Sequence, residues 1–502
     1  MRILLRPVRH GVVLNYLGQL MMLLGAGLAV PAVAGLLTAE WVMLLAHLGL
    51  GAAVAGAGWL LRRWTVESAI RPVEALVVGG LIYIVASLVL APIFRVGGLP
   101  WIDACFEGMS SCTTTGLSMI ADTSAVPRTL LFTRALMQWY GGLGFVILTL
   151  AVLVPPGSSA SRLLTTQLEK TEVVPSAVAA AKSLSHLYFA YTLITIILLL
   201  VTGVGVFDSF CYGLATVSTG GFPTHPDSAA GLWWPSLLAL IPFMLIGAWP
   251  LTLYRRWRAE GLSAALGDSQ VRVLTALALV WIAVLLVLFQ TTDAARGYRA
   301  VDAVFLGISL QTGTGFTTVD PATLSPLGKL VMLAPMNIGG ALGSTAGAVK
   351  IYRLLVLIAL LRMTVFRTVL RPTVVKPFLV GGRSLSRDEV ETVAAFVIGY
   401  IVLLVLSTAC FTAAGHDPLN SLFECSSALG ASGFTVGLTS AALPAWGKLL
   451  LTFSMWVGRI EIIPAALVLY PPVWVGRRRS PRRSRSARRL PPRLGGAQEE
   501  VG

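Results

Sequence analysis

"SSCTTTGLSMI" occupies residues 110–120 of a chain that is otherwise mostly apolar, and it is rich in hydroxyls with a glycine near its centre. Three other stretches resemble it: "LATVSTGGFPTH" from Leu214, "SLQTGTGFTTVD" from Ser309 and "SSALGASGFTVG" from Ser426. Each lies between two long apolar runs. Each also follows a short apolar segment that opens with Asp or Asn: "DACFEG" at Asp103, "DSFCYG" at Asp208, "DAVFLG" at Asp302 and "NSLFEC" at Asn420. Thirteen residues beyond those four positions stand Gly116, Gly221, Gly315 and Gly433, followed by Leu117, Phe222, Phe316 and Phe434. A fixed offset met four times is an internal repeat. The second copy offers two registers: the Asp offset and the following Phe select Gly221, whereas aligning Phe210 with Phe106, Phe305 and Phe423 selects Gly220. Two criteria against one favour Gly221.

The surroundings define the solvent. Hydrophobic residues make up 56% of the chain and charged residues 12%, with a mean hydropathy of +0.79, against about 25% charged in soluble domains. This is the composition of an integral membrane protein, in which a span takes about 20 apolar residues as helix because lipid offers no partner to an unpaired backbone group. Ten long apolar segments are visible: 11–37, 41–61, 73–94, 129–154, 184–206, 233–254, 271–289, 330–361, 390–411 and 448–470. The first two lack a cleavage site and are expected to stay in the protein. Basic residues fall on alternate sides of successive segments, from Arg2, Arg6 and Arg9 to the tail after Arg477, which places both termini in the cytoplasm. The formal charge of +15 is therefore a topology signal, with lipid headgroups as the expected contact and no nucleic acid. The tail "RRRSPRRSRSARRLPPR" reads as a disordered basic tether. Five cysteines without CxxC spacing and five histidines outside any HExxH pattern give no metal site. Neither a nucleophile elbow nor a phosphate-binding loop is present, so the chain does not read as an enzyme and carries no organic cofactor of its own.

The repeat has a physical interpretation. The stretch from each Asp or Asn to its glycine suits a short helix, capped at its start by that carboxylate or amide. Such a helix cannot span and must be re-entrant, with its negative C-terminal end near mid-membrane. Non-helical residues at that depth are tolerated only along a water-filled path. Four such loops around one axis would present backbone carbonyls to a cation, and glycine permits the angles this requires. The candidate potassium filter is Thr114, Thr115, Gly116 and Leu117; Thr219, Gly220, Gly221 and Phe222; Gly313, Thr314, Gly315 and Phe316; and Ala431, Ser432, Gly433 and Phe434.

Below the third loop, "NIGGALGSTAGAVK" puts Gly339, Gly340, Gly343 and Gly347 with Ser344 and Thr345 inside an apolar segment. Each glycine costs a helix about 1 kcal/mol relative to alanine. The stretch is expected to unwind as a gating loop; a glycine face for close helix packing is the competing reading. Lys350 ends it, either as an anchor or as a snorkelling side chain. Arg459 lies in the last span, where it would repel ions or pair with the loop, and Glu461 would pair with a neighbour. Glu107 and Glu424 hold equivalent places and are expected to hydrogen-bond behind the filter rather than touch ions.

On "TTTGLS", "STGGFPTH", "TGTGFTTVD", "QWYGGLGF" at Gln138, "IGGALGSTAGAVKIYRLLVL" at Ile338 and "GRIEI" at Gly458, residues 10–475 resemble the Trk/Ktr/HKT superfamily of potassium transporters, and within it the bacterial TrkH type. The resemblance implies an all-α polytopic membrane protein of the bacterial inner membrane. It would have four tandem M1–P–M2 potassium-channel-like repeats around one pore, plus two extra N-terminal transmembrane helices. It also implies transported potassium at the filter, a homodimer and a cytosolic TrkA-type nucleotide-binding regulatory ring. The chain departs from the pattern in its long tail and in Ala431 and Ser432. Expected boundaries are 1–63 for the N-terminal helices; 64–160, 161–258, 259–375 and 376–475 for the repeats, with the gating loop at 338–350; and 476–502 for the tail. The rival is a symporter coupled to H+ or Na+, which predicts two inverted halves. Four loops of one topology favour a gated pore.

Overall fold

The structure is a computed structural model that describes residues 7–153, 177–250, 253–261, 263, 266–292, 297–369, 379–381 and 383–475. The arginine-rich tail and the basic stretches at 162–176 and 371–378 lie outside these residues. The protein is an all-helical, multi-pass membrane protein, with one two-residue hairpin pairing Leu379–Val380 with Arg383–Ser384. Among the described residues, six helices are long and apolar enough to cross a membrane, and one sharply bent pair makes a seventh.

The chain opens with a helical hairpin, His10–Gly27 and Ala29–Leu37 against Trp41–Arg63. Its two arms touch through glycines: a Cβ on Gly18 would lie 2.6 Å from the Gly58 carbonyl, and one on Gly25 2.5 Å from that of Gly51. Small residues are what let membrane helices approach so closely. One motif then recurs four times. A long helix is followed by a short one, a glycine loop and a further helix. The long helices are Pro72–Val96, Ala177–Val201, Ser269–Gln290 and Arg387–Ala413; the short ones are Trp101–Cys112, Val206–Val217, Ala300–Thr312 and Pro418–Gly430. Three of the long helices start on acceptors suited to the exposed first-turn N–H groups. Glu74 accepts from Arg71 N, Asp268 from Gln270 N, and Ser386 exchanges bonds with Glu389. The short helices lie against the long ones through a glycine in three units, Gly108 on Ser87, Gly213 on Ile196 and Gly307 on Ile282.

Two expectations are corrected. The short helices begin two residues before Asp103, Asp208, Asp302 and Asn420, behind Pro100, Gly205, Arg299 and Asp417, so none of the four is the N-cap residue; Asp302 still caps its helix from the first turn, accepting from Arg299 N at 2.8 Å. The four side chains stand in the first turn, where the three carboxylates favour the positive helix end. Lys448 pairs with Asp103, Lys329 donates to Asn420 at 3.0 Å, Arg299 meets Asp302 at 3.0 Å and His225 meets Asp208 at 3.4 Å. The two lysines come from the helix after the preceding glycine loop, so they staple neighbouring units together. Of the ten apolar segments, the one over 330–361 breaks at its glycine run as expected, whereas breaks in 233–254 and 448–470 interrupt segments expected to be continuous. The helix after the first loop, Arg128–Leu153, is continuous, but the other three break. Trp234–Ala248 stops before Pro250, Pro326–Ile338 stops at the glycine run, and Ala445–Ile460 turns by 116° into Ile462–Leu469 at Glu461, whose φ is +73°. Proline lacks the donor a helix needs, and glycine gains most from leaving one.

Candidate functional site

The four short helices end alike. In each, an amide bonds to the carbonyl five residues back: Thr115 to Ser110 (3.0 Å), Gly220 to Ala215 (2.8 Å), Thr314 to Ser309 (3.0 Å) and Ser432 to Ser427 (3.1 Å). The preceding amides of Thr114, Thr219, Gly313 and Ala431 bond three residues back. This pair of bonds closes a helix when the residue between is left-handed. Those four residues have φ of +54°, +51°, +67° and +51°. Three of the four are not glycine, so each stores about 1–2 kcal/mol of strain. Two residues later φ is positive again, +90° at Gly116, +74° at Gly221, +90° at Gly315 and +77° at Gly433. Gly220 has no positive φ, so the backbone register of the second loop runs through Gly221.

These loops close a ring. A Cβ built on Gly116 would lie 2.5 Å from the Gly220 carbonyl oxygen, and one on Gly221 would overlap that of Thr314. One on Gly315 would lie 2.5 Å from the Ser432 oxygen, and one on Gly433 2.5 Å from the Thr115 oxygen. Each glycine therefore makes room for the carbonyl of the next unit, the fourth unit returning to the first. Thr115, Thr314 and Ser432 are fully buried, and Thr115 and Thr314 share hydroxyl contacts with Thr113 (2.8 Å) and Thr312 (2.7 Å). Leu117, Phe316 and Phe434 turn away into apolar cores, and Phe222 is buried against the Arg134 guanidinium. Carbonyl and hydroxyl oxygens brought together without a charged side chain are suited to replacing part of the water shell of a monovalent cation.

Residues 339–350 run as an irregular segment on the helix-end side of this ring. It touches the second, third and fourth units directly and is linked to the first through Arg459. Gln311 donates to the Gly339 carbonyl at 2.8 Å, Thr219 Oγ1 to Thr345 Oγ1 at 3.1 Å, and Thr345 Oγ1 to the Gly247 carbonyl at 2.9 Å. A Cβ on Gly347 would lie 2.5 Å from the Gly430 carbonyl. Arg459, fully buried, donates to the carbonyls of Thr345 (2.6 Å) and Gly141 (3.0 Å). Gly340 lies against Ala346 within the segment, and Gly343 takes φ +78°. Ser344 is folded back onto Ala341. Lys350 is buried and held by Glu461 at 3.0 Å, with Arg353 on the other carboxylate oxygen, so it anchors the segment rather than reaching for the interface.

Glu107 and Glu424 are fully buried behind the first and fourth loops. Glu107 accepts from Ser118 Oγ and Met119 N; Glu424 accepts from Thr435 Oγ1, Val436 N, Leu438 N and Thr439 Oγ1. Two further residues were not picked out by sequence reasoning as site residues. Arg134 meets Glu107 at 3.3 Å and lies 3.9 Å over the Phe222 ring. Gln138 donates from Nε2 to the Gly220 carbonyl at 2.5 Å and accepts from Phe222 N at 3.2 Å. The test that selected Arg459, a charge inside an apolar run, also selects Arg134. Gln138 stood in a quoted motif with no role attached.

Long apolar helices, short helices that cannot span and an oxygen-lined ring of irregular backbone define a membrane transport protein, not an enzyme. Residues 87–471 match the TrkH family, described as cation transport protein, and the chain belongs to that family. It is 28% identical over 417 residues to an uncharacterized cation transporter of Methanocaldococcus jannaschii, covering 82% of this chain and 85% of that one. It is 27% identical over 482 residues to the Trk system potassium uptake protein TrkH of Halomonas elongata, covering 92% and 98%. The fold matches the crystal structure of the potassium transporter TrkH from Vibrio parahaemolyticus with a TM-score of 0.83 at 24% identity, over 93% of this chain and all of that one.

Proposed function

We propose that this protein takes up potassium through a gated, selective pore enclosed by four M1–P–M2 repeats, as the membrane subunit of a Trk system. The observation that carries this reading is the closed ring of four glycine loops, each seated against the carbonyl of the next. The loops around Gly116, Gly221, Gly315 and Gly433 serve as the filter, and residues 338–350 as a gate held shut by Arg459. Potassium is the transported ion. A single ring of like units favours a central pore over two rocking halves. Both termini lie in the cytoplasm, in keeping with the basic residues there. The names of the relatives extend the proposal to Trk partners, with a TrkA-type cytosolic ring acting on the gate of a homodimer. The membrane potential suffices to drive uptake: about 120 mV, negative inside, is worth roughly 2.8 kcal/mol per cation, about a hundredfold accumulation. The test is flux of K+, Rb+, Na+ and Li+ into proteoliposomes holding the purified protein. K+ and Rb+ flux that follows an imposed potential is expected. Flux that needs a proton or sodium gradient would establish the coupled transporter instead.

A further inference from the structure

The helices after the four glycine loops can be aligned from their first residues, Arg128, Trp234, Pro326 and Ala445. Ten residues in, the equivalent positions are Gln138, Met244, Met336 and Met455. Six residues in, they are Arg134, Leu240, Met332 and Leu451. All eight side chains are buried. Three units thus present a purely apolar pair here, and the first presents a guanidinium and an amide.

What the exception touches is equally specific. Met244 shares a core with Phe316, Met336 with Phe434 and Met455 with Leu117, each on the loop of the following unit. Gln138 meets the corresponding Phe222, but through its backbone N–H, and also takes the Gly220 carbonyl. That carbonyl belongs to the ring. Its three counterparts, on Thr115, Thr314 and Ser432, come from residues with side chains, whereas Gly220 has none. A Cβ on Gly220 would overlap Gln138, so the one glycine at this ring position and the one glutamine at this helix position occupy complementary volumes. Arg134 completes the clamp, one helical turn away on the same face, with its guanidinium over the Phe222 ring and Glu107 behind it.

We infer that Gln138 is a positioning residue that sets ion specificity: its amide pins the Gly220 carbonyl, the ring oxygen carried by the most permissive residue, and so fixes the width of the ring at the junction of units one and two. Glycine at Gly220 leaves the peptide free to rotate. A bidentate amide removes that freedom and draws electron density from the oxygen, making this junction both stiffer and a weaker cation acceptor than the other three. A ring that can relax at one side would accept the smaller sodium ion more readily. Arg134 holds Phe222 so that its N–H stays within reach of Gln138.

This inference rests on the proposed conduction through the ring, and the test separates the two. Wild-type, Gln138→Met and Gln138→Glu proteins are compared in proteoliposomes, with K+, Rb+, Na+ and Li+ flux measured per folded molecule. Methionine is the residue the other units use, so it fits the space while removing both hydrogen bonds; glutamate keeps the acceptor for Phe222 and loses the donor for Gly220. The inference predicts a K+ over Na+ preference reduced at least fivefold in both variants. A preference within twofold of wild type in either folded variant overturns it, as does an equal reduction in the flux of all four ions, which is what a merely structural role would give. Failure of both variants to fold would likewise assign Gln138 to structure and overturn the inference. Absence of cation flux in the wild type would instead remove the conduction reading itself.

Discussion

The four glycine loops are nearly the same object made four times, whereas the four helices that follow them are four different objects. Each loop ends a short helix with the same pair of backbone bonds and the same two positive φ values. The following helices run straight, stop at Pro250, unwind over residues 339–350 and fold over at Glu461. The loops touch one another, so a conformational change in one must be matched by its neighbours. The following helices carry no such mutual constraint. Uniformity lies where a ring must close, and asymmetry where the third unit supplies residues 339–350 and the fourth supplies the Arg459 that holds them.

That contrast can be broken at the ring. Gly221→Ser should have the largest effect, because its Cβ would overlap the Thr314 carbonyl. Preference for K+ over Na+ is expected to fall about tenfold, about 1.4 kcal/mol of discrimination, in isotope uptake by proteoliposomes. Breaking the asymmetry comes next. Removing residues 340–346 should raise flux per folded molecule about fivefold while leaving ion preference intact, since the ring is built by other segments. If those glycines serve only packing, folded protein and flux will fall together, and a well-folded deletion that conducts no better than wild type removes the gate.

Arg459→Ala should act in the same direction but more weakly, about twofold, because residues 339–350 keep their bonds to Gly247, Gln270 and Gln311. A folded variant with unchanged or reduced flux would make the arginine a purely structural strut. The smallest effect probes the left-handed helix ends. Thr114→Gly should gain up to about 1 kcal/mol of stability, partly offset by the freer unfolded chain, and Gly313→Ala should lose a similar amount. Thermal unfolding in detergent would measure both, and equal midpoints would deny that the threonine is strained.

The sequence announces the ring more clearly than anything else. A thirteen-residue offset repeated four times locates Gly116, Gly221, Gly315 and Gly433, because glycine at a forced backbone angle cannot be exchanged for other residues. The glycine run ahead of Lys350 likewise reveals a break in the helix. The break at Glu461 is signalled more faintly, by Pro464, which cannot donate to the Ile460 carbonyl; the positive φ of Glu461 and its pairing with Lys350 and Arg353, from a distant part of the chain, are not legible in the sequence. Asp and Asn serve both as caps and as first-turn residues, so the sequence alone does not distinguish a short helix starting at Asp103, Asp208, Asp302 or Asn420 from one starting two residues earlier. Gln138 is legible only after the third dimension supplies the helix starts from which to align it with Met244, Met336 and Met455.

The ring has a direction. A side chain added to one unit's glycine displaces an oxygen of the next unit rather than its own, so damage and compensation lie in different repeats. Because the gene encodes four copies instead of one copy used four times, a single codon change perturbs a quarter of the ring, and the units are free to diverge one at a time. The units do differ one at a time: Gly313 and Ala431 stand where the first two units have threonine, and Gly220 and Ser432 where the first and third do. A ring assembled from identical subunits would have to tolerate each of those exchanges four times over.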